Sequence, residues 1–126
     1  MMSSYRLIRG ILGPVRRDIR PLTLAIDITM NWLFIAQYPI DELHVTRDLY
    51  PLIGYILKKQ PTAIARSVER LSNLCWDTLV CTNQVEHYFG TNLTSPPYPR
   101  NLVLYFAYYT YYGYPFPQNS FQNLFC

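Results

Sequence analysis

The stretch from Thr46 to Leu79 constrains this chain most, because it reads as two apolar-striped helices with almost nothing between them. Thr46 is placed to cap a first helix through Lys58, with Leu49, Ile53, Ile56 and Leu57 on one side. Pro51 falls close enough to its start to remove little hydrogen bonding. A polar turn follows, Lys59-Gln60-Pro61, and Thr62 is placed to cap a second helix reaching about Leu79. At about 100° per residue, Ile64, Val68, Leu71 and Cys75 gather on one face of the second helix, with Arg66, Arg70, Asn73 and Asp77 opposite. Trp76 falls on the flank, where it meets a neighbouring helix.

The rest of the chain extends the same pattern. Residues 3–12 predict a short helix stopped by Gly13-Pro14, since Gly favours the left-handed exit and Pro cannot continue. Pro21 is preset for the first turn of another helix, striped by Leu22, Ile26, Met30, Leu33 and Phe34 and ended by Tyr38-Pro39. Asp41-Glu42 precede a further helical stretch and suit its positive end better than acid–base chemistry. Residues 92–100 read as loop, and Asn101 as the cap of a last helix from Leu102 to about Tyr112, stopped by Gly113 and Pro115. The tail at 113–126 keeps three Phe and a Leu among polar residues, and docks either on the domain or on a partner. No repeat is present. Short connections between helices predict an all-α fold, a single helical domain over residues 1–126.

Half of the 126 residues are apolar and 15% are charged, which supplies a core and excludes disorder over the whole length. The net charge of +3 is too small to announce nucleic acid by itself. Its distribution says more: Arg6, Arg9, Arg16, Arg17 and Arg20 face only Asp18 within the first twenty residues. Cys75, Cys81 and Cys126 show no metal-ligand spacing, and His44 and His87 do not complete a zinc set. They read as reduced, partly buried thiols of a cytoplasmic protein. Gly10, Gly13 and Pro14 interrupt any secretory h-region, and the apolar run from Leu22 to Ala36 is short for a membrane span and holds Asp27 and Asn31. Asn92-Leu93-Thr94 matches a glycosylation acceptor, which has no bearing in the cytoplasm.

Four short pieces occur in order: Leu49-Tyr50-Pro51, then Ile64, Arg66 and Trp76, then Phe89-Gly90, then Pro99-Arg100-Asn101. Over roughly residues 11–112 they make the chain resemble the C-terminal effector domain of the sporulation-initiation response regulator family, stage-zero sporulation protein A. The resemblance implies a compact bundle of about six helices containing a helix-turn-helix, here at residues 46–80, that binds promoter DNA and switches bacterial transcription. It also marks departures. No phosphorylatable receiver is expected ahead of this unit, Arg100 stands for the family's Thr, and Ala63, Glu69 and Asn73 fall at or beside positions the family makes Arg or His.

In a helix-turn-helix the second helix enters the major groove. Arg66 and Arg70 then face guanine, whose O6 and N7 suit a guanidinium, and Asn73 faces adenine. Lys58, Lys59, Thr62 and Ser67 fall nearer phosphates, and Ala63 completes the set through the resemblance. The bland alternative is a solvated helix face, since Glu69 and Asp77 cancel Arg66 and Arg70. Arg16, Arg17 and Arg20 either supply the missing charge or are solvated residues at a helix start, against its dipole. The Tyr-rich stretch through Tyr105, Tyr108, Tyr109 and Tyr112 is either a core-facing helix or an interface for a homodimer or a regulatory protein. It lacks the interleaved Lys or Arg of a single-strand binder. No phosphate loop, nucleophile elbow or metal cluster is present, so the chain reads as a non-enzyme without cofactor. Two functions stand: a sequence-specific regulator of double-stranded DNA, or a module of the same fold that binds protein through its Tyr-rich face.

Overall fold

The computed structural model describes residues 3–117. Among them the chain is all-helical, with six α-helices and no strand: α1 Ser4–Leu12, α2 Arg20–Met30, α3 Tyr50–Leu57, α4 Pro61–Cys81, α5 Val85–Phe89 and α6 Pro99–Tyr112. The Ser3 hydroxyl caps α1 by accepting the Arg6 N–H at 3.1 Å, and Gly13, at φ +71, ends it. Pro21 stands in the first turn of α2. The stripe begun by Leu22, Ile26 and Met30 is buried, but Leu33 and Phe34 are only half-buried. Past Met30 the backbone widens into a π-helical turn, Asn31–Ile35, and the extra residue per turn takes the stripe out of register with the core.

Several caps fall elsewhere than the sequence suggests. Thr46 is not an N-cap: it lies exposed within a second π-helical turn, Val45–Leu49, that runs without a break into α3. Thr62 does not cap α4 either; that helix starts at Pro61, whose fixed φ is already helical, and Gln60 at the N-cap makes no side-chain bond. Pro99 likewise opens α6, leaving Asn101 inside its first turn, where it accepts from Arg100 Nη1 at 3.5 Å. Asp41 and Glu42 belong to a 3-10 turn, Ile40–Glu42. The short α5 has no periodicity long enough to announce it. Residues 118–126, and with them Cys126 and most of the aromatic tail, lie outside the described residues.

At the centre, α2 packs against α1, α3, α4 and α6. The core holds Leu7 and Ile8, Leu22 and Ile26, Leu49 and Ile53, Ile64, Val68 and Leu79, Phe89, Leu102 and Phe106. Each such side chain contributes about 1.5–3 kcal/mol against exposure. Among the described residues, the buried hydroxyls of Thr29, Ser72 and Thr110 have no hydrogen-bond partner. No described helix is long and apolar enough to cross a membrane.

Candidate nucleic-acid interface

A tight backbone contact fixes the angle between α3 and α4. At the end of α3, Lys58 takes the left-handed conformation at φ +58, and the Lys59 N–H bonds the Gly54 carbonyl at 2.9 Å. This closes the helix in the manner of a Schellman motif. A methyl group on Gly54 would lie 2.5 Å from the Lys59 carbonyl oxygen, so only glycine lets the chain turn back so closely. An open cleft of about 970 Å³ runs over the joint, lined in part by Tyr55, Lys58, Lys59, Gln60 and Ala63.

From that joint α4 presents two unlike sides. Ile64, Val68, Leu71, Cys75 and Leu79 are buried, and burial pushes the Cys75 thiol up to about 12. Thr62, Arg66, Glu69, Arg70, Asn73 and Asp77 are exposed, with Ala63 and Ser67 half-buried between the sides. Arg66 and Arg70 make no ion pair among the described residues, so both guanidinium groups are available to a ligand. Trp76 packs on Phe89 of α5, ring centroids 6.1 Å apart. Burial, and after it the nearby Glu69, push the Tyr50 hydroxyl above its ordinary range, which places Glu69 within electrostatic reach of α3.

One of the N-terminal arginines joins this surface. Arg17 and Asp18 line a cleft of about 190 Å³ with Ser67, Arg70 and Leu71 of α4. The loop between α1 and α2 therefore lies beside the outward face of α4, a neighbourhood that periodicity cannot reveal. Asp18 is bound by Arg20, Nη2 to Oδ2 at 2.7 Å, and accepts the Arg20 N–H at 3.0 Å. The Arg20 hydrogen bond lowers the Asp18 carboxyl from 3.8 to about 2, with a smaller contribution from Lys59. Arg16 and Arg17 are exposed and unpaired among the described residues.

The tyrosine stretch separates into core and surface. Tyr105 and Tyr109 are only 5% and 8% exposed, which removes them from any partner surface. Tyr109 shares a hydrogen bond of 3.0 Å with His87 Nε2, and Tyr105 stands edge-on to Phe89. Tyr108 is half-buried against Phe34 and Phe116; burial first and Tyr114 second push its hydroxyl up to about 12. Tyr112, at 43%, is the exposed member of the four, near Tyr114 at 51%. Phe34 stacks on Tyr111 at 5.4 Å, so α6 gains its aromatic cover from the π turn after α2. His44 is exposed, and so is Cys81, against the expectation of partial burial. No cluster of three His, Cys, Asp or Glu side chains able to hold a metal occurs among the described residues.

No family model matches this chain, nor does any curated protein or solved structure.

Proposed function

We propose that this chain is a sequence-specific DNA-binding regulator of transcription, in which α3 and α4 act as a helix-turn-helix and α4 reads the major groove. The observation that carries the reading is the exposed stripe of Thr62, Arg66, Arg70 and Asn73, held at a fixed angle by the Gly54–Lys59 contact. Arg17 beside Ser67 and Arg70 adds charge that α4 lacks alone. The order of Leu49-Tyr50-Pro51, Arg66, Trp76 and Phe89-Gly90 supports a relation to the sporulation-initiator effector domain. On this reading the protein is bacterial and cytoplasmic, has no enzymatic role and needs no cofactor. Arg66 and Arg70 contact guanine, Asn73 contacts adenine, and Lys58, Lys59, Thr62 and Ser67 orient the helix on phosphates. One such module buries little DNA surface, so strong specificity calls for paired or tandem binding.

The test is duplex binding by Arg66→Ala. Affinity for the preferred site falls by about 1–3 kcal/mol, and preference at one base position is lost. An unchanged affinity and preference would remove α4 from the interface. A second reading has its own observation: Ile35, Tyr112 and Tyr114 expose large apolar surface. There the fold binds a protein or a second copy of itself, Arg66→Ala is silent, and Tyr112→Ala breaks association.

A further inference from the structure

The two π-helical turns, Asn31–Ile35 and Val45–Leu49, share a feature that the DNA-binding reading does not use. Single π turns are rare and are found often at functional sites. Trp32 from the first, Tyr38 from the chain just after it, and Arg47 and Asp48 from the second line one cavity of about 290 Å³. The Trp32 and Tyr38 rings stand 6.4 Å apart at 43°. Tyr38 is fixed there by its N–H, which bonds the Trp32 carbonyl at 2.6 Å, and by Gln37, held at φ +56 where glycine is favoured.

The polar side of the cavity is unequal in what it has left to offer. Asp48 Oδ1 accepts Arg47 Nε at 3.0 Å, and Oδ2 accepts Arg47 Nη2 at 3.1 Å and the His44 N–H at 3.4 Å. Each carboxylate oxygen thus already accepts at least one bond, both of them from Arg47. Arg47 has spent only Nε and one Nη2 hydrogen, and its Nη1 makes no bond among the described residues. The adjoining cleft brings Arg100, a second guanidinium, up to the same Arg47. Aromatic walls with one free guanidinium edge match a flat ring bearing a carboxylate. The volume lies at the small end of ligand pockets, which limits the ligand to one or two rings.

From this geometry we infer that the cavity binds a small aromatic carboxylate, its ring against Trp32 and Tyr38 and its carboxylate on the outer edge of Arg47. The site leads through Val45–Leu49 directly into α3, but the binding itself is independent of whether α4 reads DNA. The experiment is a nitrogen-15 correlation titration of the full chain with indole-3-acetate, beside tryptamine (a ring with an amine) and cyclohexanecarboxylate (an acid without an aromatic ring). Indole-3-acetate shifts the Trp32 indole N–H and the Tyr38 and Arg47 amides saturably, with half-saturation at about 1 mM. The two controls bind at least about tenfold more weakly. Arg47→Gln, at an exposed position, leaves the spectrum of α2, α4 and α6 unchanged and weakens indole-3-acetate about tenfold; Trp32→Leu weakens it as well. Absence of saturation by about 10 mM overturns the inference. So does tryptamine binding as tightly, or shifts at Lys58, Arg66 and Arg70 in place of Trp32.

Discussion

The outward face of α4 and the tyrosine run of α6 were equally prominent in the sequence, yet the fold treats them oppositely. Along α4 polar and apolar residues alternate at helical spacing, so the face that points outward is set by pattern alone: Arg66, Arg70 and Asn73 are exposed and Ile64, Val68 and Cys75 buried. Along α6 almost every position is apolar or aromatic, and the helix is buried nearly all round, from Leu102 through Ala107 and on to Tyr109 and Thr110. A tyrosine serves either environment, because its ring packs while its hydroxyl finds a partner or water. Composition therefore marks α6 as unusual without saying which tyrosines are outside. The difference is between a helix that states its orientation and one whose orientation comes from its neighbours, chiefly α2 and the Phe34 of the following π turn.

The sharpest way to break this contrast is to truncate both helices to alanine. Tyr109→Ala removes a buried ring and its His87 hydrogen bond, and should cost about 3–5 kcal/mol in urea unfolding. Asn73→Ala, at an exposed site, should stay within about 0.5 kcal/mol, and Tyr112→Ala, which loses only the contacts of a partly exposed ring with Phe34 and Tyr108, should cost about 1 kcal/mol. Equal losses at Tyr109 and Tyr112 would put the wrong side of α6 in the core. Gly54→Ala comes next. Its methyl group meets backbone, not a movable side chain, so unfolding measurements should show a loss of about 1–3 kcal/mol. Duplex binding should fall further than that change in folded population accounts for, because α4 is re-aimed.

Smaller effects sharpen the same picture from inside. Ser72 of α4 and Thr110 of α6 each bury an unpartnered hydroxyl, so Ser72→Ala and Thr110→Val should each raise stability by about 1 kcal/mol. A loss at either position would reveal a hydrogen bond to a buried water. Asp18 gives the smallest effect. Its pKa is lower folded than its ordinary 3.8, so the folded state binds fewer protons in that range. The Asp18–Arg20 contribution is therefore present above about pH 4 and is lost as pH falls towards 2. Because the pair is largely exposed, Asp18→Asn should cost no more than about 0.5 kcal/mol at neutral pH, and the difference from wild type should vanish in acid.

The helical class, the stop at Gly13, the opening at Pro21 and the two sides of α4 were legible because each rests on local chemistry within a few residues. Thr46, Thr62 and Asn101 carry favourable capping side chains, but a nearby helix start at Pro61 or Pro99, or a π turn at Val45–Leu49, overrides them. Two neighbourhoods were not legible at all. Arg17 shares a cleft with Ser67 and Arg70 across about fifty residues of sequence, and Trp32 shares one with Arg47 through two backbone irregularities with no sequence signature. Tertiary packing alone brings such groups together.

Fluorescence anisotropy decides whether α4 reads duplex DNA as proposed. The protein would be titrated into a duplex carrying the sporulation regulator's recognition box and into a scrambled duplex, each at low and high salt. Tighter binding to the box is expected, with affinity falling as salt rises because Lys and Arg displace counterions from the phosphates. Equal and feeble binding to both duplexes at both salts would contradict the proposed reading.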